Sequence, residues 1–276
     1  MIISRTFHAL FFSVCATLAL SLQAAEPPRK PHVFFLVGEP EYHTELTLPA
    51  FAKAELEPLG IQSTFSIHTD ETTDEFPNLD SLPSSDLLLI STRRRHLPPE
   101  QLELIRTYIA AGKPVVGIRT ASHAFGKRKG EDEGSWENFD KEILGTTYGG
   151  HYGTGLISHV KPLAEALRHP ILTGFNPAEF TCPSHLYKNT ILGPNVTILL
   201  EGHVEGEGKQ EPVAWVNTRE KQRIFYTSLG AERDFEVPQF RRLLLNGITW
   251  ALGLPAPAEQ TPPAPQPDPA SAAKAQ

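Results

Sequence analysis

Cysteine is nearly absent from this chain, with only Cys15 and Cys182 among 276 residues. Cys15 falls in a leader described below, so a mature chain keeps one thiol and no internal disulfide, and a domain this long buries core enough to need none. The basic excess that a nucleic-acid-binding face requires is missing too. Lys and Arg number 25 against 32 Asp and Glu, for a net charge of −7, which excludes nucleic acid as a partner. The longest apolar run falls short of the ~20 residues that cross a bilayer. Internal repeats, interior low-complexity linkers, a Gly-x-Ser-x-Gly elbow and a local metal-ligand spacing such as His-x-x-x-His are all lacking.

What is present begins with a three-part leader. Arg5 supplies a positive start, Ala9 to Leu22 an apolar run, and Gln23-Ala24-Ala25 the small residues of a cleavage site after Ala24. Residues 1–24 therefore read as a signal peptide and residues 25–31, with three prolines, as a spacer. The expected location is periplasmic or secreted, with no membrane anchor once the leader is cut. Losing Arg5 and no acid moves the net charge to −8. At the other end, residues 255–276 hold seven prolines, seven alanines and no large apolar side chain. Such a stretch cannot bury enough surface to offset its ordering entropy, and it reads as a disordered tail. Residues 32–254 remain as one domain.

Within them, apolar runs bounded by turns alternate with helical spacing. Residues 32–37, 61–67, 86–91 and 114–118 read as strands, and the nearly continuous apolar runs of the first and third suit a sheet covered on both faces. Residues 46–59 and the segment opened by Pro98-Pro99 read as helices, each ended by a glycine (Gly60, Gly112). The order predicts an α/β fold, a doubly wound and mostly parallel sheet in a three-layer sandwich. The second half is less regular: a helix over 136–144, short strands near 156–161, 179–181, 196–201, 213–217 and 223–228, and a closing helix over 237–252.

Open parallel sheets bind ligands beyond the carboxyl ends of their strands. Three polar turns fall there: Gly38-Glu39-Pro40-Glu41-Tyr42-His43, Thr92-Arg93-Arg94-Arg95-His96 and Arg119-Thr120-Ala121-Ser122-His123. Arg93 and Arg94 could clamp an anionic group, or belong to a solvated charged face. Arg119 follows a buried strand directly, so it either faces a ligand or pairs internally with Glu39 or Glu41. His123 could move protons or simply pack, and Ser122 beside it could bind substrate. His151 sits among glycines that let backbone approach a ligand. Together with His43, His123 or His203 and a carboxylate from Glu39 or Glu41, it could also complete a divalent metal site, so a metal is a candidate cofactor. Tyr42, Phe125, Trp136, Tyr148 and Tyr152 could stack on a sugar ring or cap the core.

Five segments resemble, in order, the landmarks of ThuA-like (trehalose utilisation) domains: Gly117-Ile118-Arg119-Thr120-Ala121-Ser122-His123, Trp136 through Gly149-Gly150-His151, His169-Pro170-Ile171-Leu172-Thr173-Gly174-Phe175, residues 223–230, and Gly247-Ile248-Thr249-Trp250-Ala251-Leu252-Gly253. The resemblance implies the flavodoxin-like fold of class I glutamine amidotransferases. Arg119 stands where those enzymes carry a nucleophilic cysteine, so glutaminase chemistry is not expected. Ser184-His185-Leu186-Tyr187 also departs from the family pattern, in which an Asp-Glu pair precedes Leu-Tyr in many relatives.

A small-molecule carbohydrate, a sugar or keto-sugar derivative, is the partner the resemblance implies. The catalytic candidates are then Arg119, His123, His151 and Glu41, with Glu39, Tyr42, Arg93, Arg94, Ser122 and Tyr152 binding substrate. A glycan-binding protein without catalysis and a metal-dependent hydrolase are the competing classes.

Overall fold

The computed structural model describes residues 29–70 and 72–258. The leader and residues 259–276 of the expected tail lie outside them. Residues 255–258 have no regular structure, and Arg242 donates to the carbonyls of Pro257 (2.6 Å) and Ala258 (3.2 Å). Among the described residues no helix is long and apolar enough to cross a membrane.

The first half folds as its pattern predicts. Strand β1 (His32–Gly38), helix α1 (Thr44–Phe51), β2 (Gln62–Ile67), β3 (Leu87–Thr92), α2 (Pro99–Ala110) and β4 (Val115–Ile118) follow in that order. Helix α1 is shorter than the 14 residues expected, because Pro49 lies within it and the chain continues as a π turn and a 3-10 turn to Leu59. The second half supplies β5 (Thr146–His151), β6 (Ser158–Pro162), β7 (Phe180–Cys182), β8 (Tyr187–Ile191), β9 (Val196–Val204), β10 (Glu211–Asn217), β11 (Ile224–Thr227) and α3 (Pro238–Ala251). The helix expected over 136–144 is reduced to a π turn, Asp140–Leu144.

Nine strands form one sheet in the order β2-β1-β3-β4-β11-β10-β9-β6-β7. From β2 to β11 all pairings are parallel, and from β11 to β7 all are antiparallel. Alternation along β1 explains the two cores. Val33, Phe35 and Val37 pack on one face with Leu48 of α1 and Phe240, Leu243 and Leu244 of α3. Phe34 and Leu36 pack on the other with Leu102 and Ile105 of α2.

Two strands stand apart from this sheet and were not foreseen. β5 and β8 pair antiparallel, with Tyr148 opposite Asn189, His151 opposite Tyr187 and a bulge between. This ribbon lies over the end of β4 and carries much of the site.

Candidate active site

The chain order reverses between β1 and β3, and the loops after β1, β3 and β4 meet beyond that point, as open α/β sheets arrange their ligand crevices. Arg93 N donates to Gly38 O (3.2 Å), Arg94 N to His123 O (3.0 Å) and Arg95 N to Ala124 O (2.7 Å). Arg95 fastens the crevice from below. Its buried guanidinium donates to the carbonyls of Gly38 (2.9 Å), His68 (3.0 Å) and Thr73 (3.1 Å).

At the centre is Arg119. It opens the 3-10 turn Arg119–His123 at φ 45°, a left-handed conformation that a non-glycine residue adopts only under constraint. The constraint is visible: the Tyr226 hydroxyl (2.7 Å) and Ser122 Oγ (3.3 Å) both donate to the Arg119 carbonyl. The turn drives the side chain inward, to 1% exposure. Nη1 donates to the carbonyls of Ser228 (2.8 Å) and His185 (3.2 Å). The rings of Tyr42 and Tyr187 lie on the guanidinium, each with its centroid 4.4 Å from Cζ. Burial acts against the charge, but the phenols of Tyr187 and Tyr42 and the carboxylate of Asp234 outweigh it, so the pKa lies above the ordinary value. Arg119 makes no ion pair with Glu39 or Glu41, the internal alternative its sequence position left open.

The histidines gather around this cation. His123 stacks on Tyr148 with ring centroids 4.4 Å apart, and Tyr148 reaches Tyr187 at 4.8 Å. His151 lies 4.2 Å from His185, whose Nε2 is 3.3 Å from the Tyr42 hydroxyl. Arg119, His123 and His151 therefore converge, and the structure adds Tyr148, His185 and Tyr187 to them. Burial, then the cations Arg94, Arg93 and Arg119, lower the His123 pKa to about 3, although its side chain keeps some exposure. Burial and Arg119 take His185 to about 4. Both imidazoles are neutral at pH 7 in the fold, whereas an unfolded histidine titrates near 6.5. The unfolded chain thus binds more protons between about 6.5 and 4. Stability is complete above 6.5 and declines as the pH falls through that window, by at most about 1.4 kcal/mol per pH unit for His123 and by less for the half-buried His185, which solvent screens. Urea midpoints at pH 7.5 and pH 5 should show the decline, and His123→Gln should make the difference smaller.

Several expected ligand groups are engaged elsewhere. Glu39 is buried and builds the loop after β1, accepting from the amides of Glu41 (2.8 Å), Tyr42 (2.8 Å) and Thr44 (3.2 Å) and from Thr44 Oγ1 (2.6 Å). Burial raises its pKa against those bonds. Glu41 is exposed at the rim and pairs with Arg93 at 3.0 Å, away from the histidines it was expected to assist. Arg94, at φ 48°, ties two loops through its backbone, its carbonyl accepting from Arg128 Nε (3.0 Å). Ser122 is buried in the turn, with Oγ 3.1 Å from His123 Nδ1.

Tyr152 leaves the site altogether. It belongs to the core on the α1 and α3 face, where its hydroxyl donates to Glu211 at 2.9 Å. Tyr152→Phe should cost about 1 kcal/mol in chemical denaturation, one hydrogen bond to a charged acceptor that keeps other partners, and should leave ligand affinity unaltered. A weakened ligand with unchanged stability would return Tyr152 to the site.

The metal set suggested by the sequence does not assemble. His43 is exposed beside Glu45 (3.2 Å), and His203 stacks on His159 (5.2 Å) across β9 and β6. No group of three or more His, Cys, Asp or Glu is placed to hold a metal ion among the described residues. Cys182 is buried and free, its thiol pKa raised by burial.

Asp234 was not anticipated. It is fully buried after β11 and accepts from the amides of Gly230 (2.8 Å), Ala231 (3.1 Å) and Ser184 (3.2 Å). It thereby binds the chain segment before β8 to the one after β11, whose Ser228 carbonyl holds Arg119.

A sheet of this topology, with a left-handed elbow after an interior strand and an arginine at its apex, defines a protein of the glutamine amidotransferase-like fold whose elbow lacks the nucleophile. The trehalose utilisation (ThuA) family model matches residues 37–251, and the chain belongs to that family. Among solved structures, ThuA-like proteins of Bacteroides uniformis and Parabacteroides merdae each align with a TM-score of 0.60 at 16% identity. The first alignment covers 83% of this chain and 94% of the other, and the second 84% and 94%. Agd3, described as a carbohydrate deacetylase, aligns with a TM-score of 0.55 at 11% identity, over 80% of this chain and 32% of its own. These likenesses show the fold. A search of curated proteins returns no match.

Proposed function

We propose that this protein is exported and processes a sugar or sugar derivative by acid–base chemistry at the Arg119 crevice. The convergence of Arg119, His123 and His151 carries the reading. Family membership and the fold shared with a carbohydrate deacetylase support the carbohydrate link. The rings of Tyr42, Tyr148 and Tyr187 offer apolar faces of the kind that stack on sugars.

His151 is the best-placed base. Its Nδ1 lies 2.6 Å from the Tyr152 carbonyl, which can only accept, so Nδ1 carries the proton and Nε2 keeps the lone pair. It is exposed, as a group that meets substrate must be. Neutral His123 and His185 can pass protons without adding charge, and Arg119 stabilises negative charge that develops on the substrate.

Incubating the full chain with disaccharides and their oxidised keto forms, with products followed by NMR, tests the proposal. Turnover is expected, with a loss of roughly 10²–10⁴-fold in His151→Asn, the range of a removed acid or base. Sugar binding without turnover, equal in wild type and His151→Asn, would instead identify a glycan-binding protein.

A further inference from the structure

The guanidinium of Arg119 is only half used. Nη1 has two carbonyl acceptors, but Nε and Nη2 are buried without any. These two N–H groups point the same way along one edge of the planar group, the fork that meets both oxygens of a carboxylate at once. The rings of Tyr42 and Tyr187 each lie with their centroid 4.4 Å from Cζ and hold the group in place, and the Tyr42 hydroxyl comes near enough to bond to it until a ligand displaces that ring. Buried charged donors without acceptors are costly, and such a pair persists where a ligand completes it.

The neighbouring acids do not complete it. Glu39 is spent on four donors, Glu41 on Arg93 and Asp234 on three amides. Among the described residues no carboxylate oxygen lies within ion-pairing distance of Arg119. Two more buried groups lack partners close by in the chain: Thr120 Oγ1, next to Arg119, and Ser184 Oγ, next to His185. A hollow of about 230 Å³ lies close by: Tyr42 and Ser184 line it, and the same Tyr42 ring lies against the guanidinium.

We propose that the Nε–Nη2 edge of Arg119 receives a carboxylate carried by the sugar ligand, so that the substrate class is a sugar acid of the uronate type. This rests on the carbohydrate reading above and narrows it. Tyr42 turns away from His185 to admit the acid, and the stacked rings then face the pyranose.

Binding of glucuronate, galacturonate, glucose, galactose, glucose 6-phosphate and propionate to the full chain, measured by calorimetry, tests this. Each uronate should bind at least tenfold tighter than its neutral parent, and Arg119→Lys, which keeps the charge but loses the fork, should reduce that preference to less than threefold. The wild-type comparison decides the matter if the variant does not fold. Neutral sugars binding as well as their uronates would overturn the carboxylate assignment and leave the carbohydrate reading standing. Propionate binding as tightly as the uronates, with neutral sugars inert, would keep the fork and overturn the carbohydrate reading with the substrate class. Preference for glucose 6-phosphate over glucuronate would replace the carboxylate by a phosphate. No binding by any probe would overturn both.

Discussion

Arg119→Ala is expected to reduce turnover by about 10²–10³-fold, the loss seen when one preorganised charge-stabilising donor is removed from a water-poor site. The comparison with Arg119→Gly separates chemistry from backbone strain. Both variants lose the guanidinium, so both should lose the same activity. At φ 45°, however, alanine keeps the steric cost of the left-handed elbow, roughly 1–2 kcal/mol for an L-residue, and glycine does not. Arg119→Gly should therefore be about 1 kcal/mol more stable than Arg119→Ala in urea, with equal residual turnover. A glycine variant that retained wild-type turnover would show that the elbow needs its shape and not its arginine.

Why an arginine occupies a strained position follows from where the strain sends it. The left-handed turn ends β4 abruptly and aims the first side chain of the loop into the space between β4, β11 and the β5–β8 ribbon. In that space two carbonyls and two phenol rings contact the cation, and the charge of Asp234 acts on it from farther off. The turn buries a charge and leaves one edge of it unanswered.

The parallel half of the sheet was legible because its inner strands are apolar on both faces and leave no other assignment for runs such as Val33–Val37 and Leu87–Ile90. The elbow was legible for the same reason, since a charged residue directly after a buried strand must be turned toward something. The ribbon was not. Thr146-Thr147-Tyr148-Gly149-Gly150-His151 contains two adjacent glycines, one at φ 99°, and a bulge, and these erase the alternation that marks a strand. Its partner did carry a signal: Tyr187 and Asn189 are buried while Lys188 and Thr190 are exposed, a two-residue period readable in Tyr187-Lys188-Asn189-Thr190-Ile191. Following it would have marked a strand, while its position beside Arg119 depends on tertiary contacts that no local pattern shows.

Glu39 and Tyr152 mislead for a different reason. Carboxylates and phenols that organise a loop or cross a core have the same residue types as ligand groups, and only their hydrogen-bond partners tell them apart. The partners of Glu39 lie two to five residues ahead in the chain, a local arrangement that spacing alone does not reveal.

Asp234→Ala should be the most destabilising single change in the site. The substitution strands the buried amides of Ser184, Gly230 and Ala231 and removes the carboxylate nearest in effect to a buried guanidinium. A buried donor left without its acceptor costs about 1–3 kcal/mol, so stranding three amides should lower stability by about 3 kcal/mol or more, and the urea midpoint should fall accordingly with its slope unchanged. Asp234→Asn keeps one acceptor oxygen and should lose about half as much. The electrostatic influence of Asp234 on Arg119 gives the sharper test. If Asp234 balances that cation, Arg119→Ala removes much of the penalty, and the double variant should be more stable than the sum of the single losses by at least about 1 kcal/mol. Strict additivity would mean that Asp234 serves the turn after β11 alone and that the charge of Arg119 is held by its carbonyls and rings.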